Sequence, residues 1–134
     1  MSVDMLELAR VCERVAATNA RSRKVAIAAD WLHRLDDEDL ARAVLFLSGT
    51  AFPRHDPRRL SVGWATMRDA AVAATGWDVE TVRLCLREVG DVAEGISLLL
   101  VGHAAGLPFT LADAEGAFEA LAQARRPAEK RALL

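Results

Sequence analysis

No stretch of this chain alternates apolar and polar residues as a half-buried strand requires. Apolar side chains instead recur three and four positions apart in short segments, each closed by Gly, Asp, Asn or Pro. That punctuation restricts the chain to an all-α fold, a compact arrangement of about seven to eight helices. Ala and Leu are abundant and β-branched residues scattered, which favours the same class. A length of 134 residues suits one domain, 1–134. Such a chain can bury a core without disulfide or metal staples.

The first helix is expected from about Val3 to Ala17, with Ser2 as its cap and Met5, Leu8, Cys12 and Val15 inward. Thr18-Asn19 marks a break. The second runs from about Arg21 to Arg34, with Val25, Ala28, Trp31, Leu32 and Leu35 inward. Asp36 caps a third, Asp37 to about Leu47, whose first turn is acidic (Asp37, Glu38, Asp39) as the helix dipole prefers. Gly49 reads as a left-handed stop. Residues 50–61, with Pro53 and Pro57, read as a loop. Further helices follow from about Trp64 to Thr75, closed by Gly76, and from Val79 to Val89, capped by Asp78. Another runs from Val92 to Val101, capped by Asp91. After a loop from Gly102 to Pro108, Thr110 and Asp113 form a short capping box for a helix reaching about Ala124. Pro127 sits in the first turn of an eighth.

The net charge of −2 argues mildly against a free-standing nucleic-acid binder. The charge is unevenly spread, however. Residues 10–24 hold Arg10, Arg14, Arg21, Arg23 and Lys24 against Glu13 alone, and residues 54–68 hold Arg54, Arg58, Arg59 and Arg68 against Asp56 alone. All but Lys24 and Lys130 of the 17 cations are arginine, the side chain better matched to phosphate. Cys12 and Cys85 read as reduced core thiols of a cytosolic protein. Trp31, Trp64 and Trp77 read as core. His33, His55 and His103 are too far apart for a metal site. The apolar run from Ile96 to Val101 is too short to cross a bilayer, and Asp4, Glu7 and Arg10 interrupt any signal-peptide pattern. No Gly-x-x-x-x-Gly-Lys loop or Gly-x-Ser-x-Gly elbow is present.

An internal echo links residues 15–27 and 121–133. Each copy ends a helix, crosses a polar basic turn (Arg21-Ser22-Arg23-Lys24; Arg125-Arg126-Pro127) and opens another helix with a lysine in its first turns. On the residues alone, this is either a repeat or two similar corners in an Ala/Arg-rich chain.

Four segments then occur in order: Ala43-Val44-Leu45-Phe46-Leu47-Ser48-Gly49, Leu60-Ser61-Val62-Gly63-Trp64-Ala65-Thr66-Met67, Gly90-Asp91-Val92-Ala93 and Pro108-Phe109-Thr110-Leu111-Ala112-Asp113. With the opening Val11-Cys12-Glu13-Arg14-Val15-Ala16-Ala17-Thr18 they resemble the N-terminal domain of ATP-dependent DNA ligases in its bacterial form. The resemblance covers nearly the whole chain. It implies a helical DNA-binding domain with internal pseudo-two-fold symmetry, gripping duplex or nicked DNA through its phosphates in DNA repair, replication or recombination. Only about the first two-thirds of that domain would be present, the second copy starting near residue 120. At its corner, Ala124-Arg125-Arg126-Pro127 stands where the family commonly has Gly and Ser, adding charge.

The resemblance points to DNA-contacting residues in three groups. These are Arg21, Arg23 and Lys24 at the second helix; Gly49, Arg54, Arg58, Arg59 and Gly63 around the basic loop; and Arg125, Arg126 and Lys130 at the last corner. Ordinary solvated charge is the competing reading for each. Nucleotidyl transfer in the family uses a Lys-x-Asp-Gly motif, and neither lysine lies in one, so no catalytic residue is expected here. No cofactor is expected in this chain; ATP and a divalent metal would belong to a separate catalytic domain. The expected setting is the cytoplasm of a bacterium, at the nucleoid, with no membrane partner. The alternative is a helical protein-interaction or self-associating structural module that binds no nucleic acid, its apolar residues Leu121, Leu133 and Leu134 left exposed.

Overall fold

The computed structural model describes residues 1–103 and 106–134. Among them are eight helices: α1 (Met5–Ala16), α2 (Arg21–Leu32), α3 (Asp37–Leu47), α4 (Trp64–Thr75), α5 (Val79–Val89), α6 (Val92–Leu99), α7 (Leu111–Gln123) and α8 (Pro127–Leu133). No strand occurs among the described residues beyond one isolated bridge, Asp4 with Thr110. The all-α reading is correct. The expected loop from Gly102 to Pro108 includes Ala104 and Ala105, which lie outside the described residues. Among the described residues no helix is long and apolar enough to cross a membrane.

The chain divides into two compact units. The first comprises Met1–Leu60 with Pro108–Glu119. Its core is Leu8, Val11, Trp31, Ala43 and Leu111, walled by Ile27, Leu32, Leu35 and Phe46. α1 packs on α2 and α2 on α3, and Phe46 meets Phe118 edge-on at 5.5 Å between ring centres. The chain start is stitched across this core. The Met5 N–H donates to the Phe109 carbonyl at 2.8 Å, and the Leu111 N–H to the Val3 carbonyl at 2.9 Å.

Asp39 completes that stitching. Its side chain is 1% exposed. Oδ1 accepts from the Ser2 hydroxyl at 2.7 Å, Oδ2 from the Val3 N–H at 2.7 Å, and Oδ1 again from Arg42 Nη1 at 3.0 Å. Ser2 Oγ accepts in turn from the Ala112 N–H at 3.1 Å. Arg42 also pairs with Glu38 at 3.8 Å and places Nε 3.3 Å from Glu115, an ion pair without a well-aligned hydrogen bond. Burial by itself would raise the Asp39 pKa. The hydrogen bonds from Ser2, Val3 and Arg42 outweigh it and hold the carboxyl below its usual range.

The second unit comprises Ser61–Leu107 with Ala120–Leu134. Ala71, Val82, Leu86 and Leu99 form its core, with Val72, Cys85 and Ile96 against them. α4 packs on α5, α6 and α8, and α5 on α6. Gly95 is what lets α6 approach α5. A Cβ there would fall 2.6 Å from Leu86 Cδ2 and 3.4 Å from Leu86 Cα. Leu86 is itself buried and has little room to yield. Gly95→Val should therefore cost about 2–3 kcal/mol through overpacking, despite valine's better helix propensity. A urea titration followed by circular dichroism reads this as a lower midpoint; an unchanged midpoint would show that α6 swings aside freely.

Several expectations need correction. Ser2 is not the cap of α1. Asp4 is, accepting from the Leu6 N–H at 2.8 Å, and Ser2 is drawn off to Asp39. Cys12 is exposed, because α1 buries the stripe through Leu8 and Val11, which leaves Cys12 on its edge. Val25 is 61% exposed, on the flank of the α2 face that buries Trp31. Trp64 and Trp77, at 47% and 49%, are half in solvent, and of the three tryptophans only Trp31 joins a core. Leu121 is buried, whereas Leu133 and Leu134 are exposed as expected. α2 and α6 end two residues earlier than expected. The capping box at Thr110 and Asp113 forms reciprocally, at 2.9 and 3.1 Å.

Candidate nucleic-acid interface

A phosphate is best held where backbone N–H groups lack acceptors and cations stand beside them. Most helix starts here are closed to that use. Asp4, Asp36, Asp78 and Asp91 cap α1, α3, α5 and α6 with their carboxylates, and Thr110 caps α7 with its hydroxyl. Three starts are not closed by a capping side chain. They are α2 at Ala20, α4 at Gly63 and α8 at Arg126. These are the three places where the sequence gathers its candidate residues.

The α2 corner has the simplest geometry. Ala20 has the extended backbone of a cap residue, φ −76° and ψ 114°, but no side chain to fill the role. Thr18 Oγ1 takes the Ala20 N–H at 3.2 Å, which shapes the turn and leaves the first turn of α2 open. That turn carries no acid. Arg21 and Arg23 are exposed and Lys24 half-buried. None of the three forms an ion pair among the described residues. The contrast lies elsewhere in the chain, where Arg83 and Arg87 pair with Glu80 and Glu88 on α5, and Arg34, just past the end of α2, pairs with Asp30.

In the basic loop, much of the charge is used internally. Arg58 makes a two-pronged contact with Asp56, Nε at 3.0 Å and Nη2 at 2.8 Å from Oδ2, and stacks 4.4 Å above the Phe52 ring. These contacts keep the Asp56 carboxyl below its ordinary range, the Arg58 side chain foremost. Arg59 Nη1 donates to the carbonyls of Asp56, Pro57 and Arg58 at 3.3, 3.3 and 2.9 Å. Arg54 alone of the loop's arginines makes no hydrogen bond or ion pair among the described residues, and it lines a cleft of about 340 Å³ with Thr50, Phe52 and Leu60. Gly49 has φ 77°, the left-handed conformation that favours glycine. Neither Gly49 nor Gly63 has a neighbour within 4 Å of where a Cβ would stand, so both backbones are open to approach.

In the second unit, Arg125 and Arg126 are exposed, but the first turn of α8 carries Glu129, which accepts from the Arg125 N–H at 3.4 Å. Lys130 departs from expectation. It is 7% exposed and its Nζ donates to the Ser61 carbonyl at 3.2 Å, so it braces the protein and is no surface contact. Its charge was visible in the sequence; a partner 69 positions away was not. The three charges of the α2 corner, by contrast, were legible in the sequence, whereas the absence of a capping side chain at Ala20 came from the structure. Among the described residues no group of His, Cys, Asp and Glu is placed to hold a metal ion.

Residues 4–134 match the family described as DNA ligase N terminus. The chain is similar to DNA ligase 1 of Korarchaeum cryptofilum, 31% identical over 127 residues that make up 92% of this chain and 23% of that protein. It is 37% identical over 98 residues to the DNA ligase of Methanoculleus marisnigri, covering 73% of this chain and 18% of that one. To the probable DNA ligase of Koribacter versatilis it is 30% identical over 128 residues, 95% of this chain and 22% of the relative. The chain thus spans roughly a fifth of the length of these relatives.

Proposed function

We propose, on the premise that this chain belongs to the DNA ligase N-terminus family, that it binds duplex and nicked DNA without sequence preference. It would do so as the non-catalytic N-terminal domain of an ATP-dependent ligase acting in repair, replication or recombination. ATP, the divalent metal and the nucleophilic lysine would sit in a separate catalytic part of such an enzyme. A nick-sealing enzyme must accept any sequence, so contacts to phosphates and to duplex shape serve it better than contacts to base edges. The observation that carries the reading is the start of α2, where Arg21, Arg23 and Lys24 surround a helix end that no side chain caps. Arg54, Gly49 and Gly63 support it as open positions.

The test is a fluorescence-anisotropy titration of labelled nicked duplex with this chain. Binding in the 10⁻⁴ to 10⁻⁶ M range is expected, as for contacts that are mainly electrostatic, weakening about 40-fold between 50 and 200 mM salt if three phosphates are neutralised. Sequence changes in the duplex should leave affinity unaltered. Absence of binding at low salt overturns the reading. A second reading, self-association, draws on the exposed Leu133 and Leu134. A mass of twice 14.5 kDa by light scattering, without DNA affinity, would favour it.

A further inference from the structure

Lys130 is a buried charge that reaches the last residue of the basic loop and not the protein surface. Its Nζ donates to the Ser61 carbonyl at 3.2 Å. Ser61 is unusual in its own right. It is the non-glycine residue with positive φ among those described, at 50°. A residue bearing a Cβ adopts that conformation rarely, and holds it where its surroundings dictate it. Ser61 lies two residues before Gly63, the cap position of α4, whose first turn no side chain closes. α8, which carries Lys130, packs along α4.

We infer that Lys130 is a positioning residue. By fixing the Ser61 carbonyl it holds the left-handed turn that presents Gly63 and the first turn of α4, and it acts on DNA affinity without touching DNA. The inference rests on the DNA-binding reading above. It also reassigns a lysine whose charge suggests a phosphate contact.

The whole chain is used for the test, with labelled duplex and ¹³C-labelled protein. Lys130→Met keeps a buried stem and removes the donor. Ser61→Val keeps the carbonyl and disfavours positive φ. Each should weaken duplex binding about tenfold, the size of one lost contact to a charged group. Lys130→Met should also move the Ser61 Cα and Cβ resonances away from left-handed values. Ser61→Gly takes up the turn unaided, so adding it to Lys130→Met should restore affinity. Unchanged affinity in Ser61→Val overturns the inference, as does a loss in Lys130→Met that Ser61→Gly leaves unrepaired. A parent chain that binds no duplex removes the DNA-binding reading instead, and the Ser61 resonances then still report whether Lys130 holds the turn.

Discussion

Asp39→Ala should destabilise the first unit by about 3 kcal/mol, the low end of what breaking a buried ion pair costs. The carboxylate is 1% exposed and serves Ser2, the Val3 N–H and Arg42 at once. Removing it strands the Val3 N–H and takes from Arg42 its best-buried partner, while Glu38 and Glu115 retain part of that charge pairing. The loss should appear as a fall of roughly 10 °C in melting temperature for a domain of this size. Asp39→Asn keeps the shape and one acceptor, so about 1–2 kcal/mol is expected.

The pH dependence follows from the same contacts. The folded pKa of Asp39 lies below the ordinary aspartate value, held there by its hydrogen bonds against the opposing effect of burial. Its stabilising contribution is therefore complete above the unfolded pKa and disappears as pH falls through the folded one. Asp56, Asp78 and Asp113 are shifted in the same direction. The difference between parent and Asp39→Asn isolates the share of Asp39: it should shrink as pH drops below about 4. A melting temperature unchanged in Asp39→Ala would mean the chain start is not held through this residue.

The second large effect concerns affinity. Replacing Arg21, Arg23 and Lys24 together by Ala should weaken duplex binding roughly 100-fold at low salt, at about 1 kcal/mol per contact. It should also flatten the salt dependence by about 2.7 in slope. Every duplex sequence should suffer equally. Arg83→Ala with Arg87→Ala removes two cations already paired with Glu80 and Glu88, and should change affinity little. Ala20→Asp separates local structure from function. A carboxylate at that cap should stabilise α2 by about 1 kcal/mol and weaken DNA binding, because it occupies the amides and repels phosphate. If thermal stability and DNA affinity rise together in Ala20→Asp, the α2 corner is not the phosphate site.

Much of the fold was legible because its signals are local. Asp36, Asp78 and Asp91 each cap the helix they precede, and Gly76 and Gly90 close α4 and α5 in the left-handed conformation. The bounds of α3, α4 and α5 followed from those residues. The reciprocal bonds of Thr110 and Asp113 are fixed within four residues. The basic corner at Arg21 was legible for the same reason, since its charges lie within four consecutive positions.

What the sequence by itself determined is the helix list, the caps of α3, α5, α6 and α7 and the places where arginines collect, because each depends on hydrogen bonds and charges a few residues apart. Only the tertiary structure decided which charges are spent. Asp39 looks like one of four equivalent acids until Ser2 and Val3 arrive from 36 and more positions away and enclose it. Arg58 folds back on Asp56 and Phe52, and Lys130 is turned inward to Ser61. The same applies to Cys12 on α1, Trp64 at the start of α4 and Trp77 between α4 and α5, which stay outside the cores of their units. Burial and long-range partners depend on which faces meet, and no local pattern encodes that.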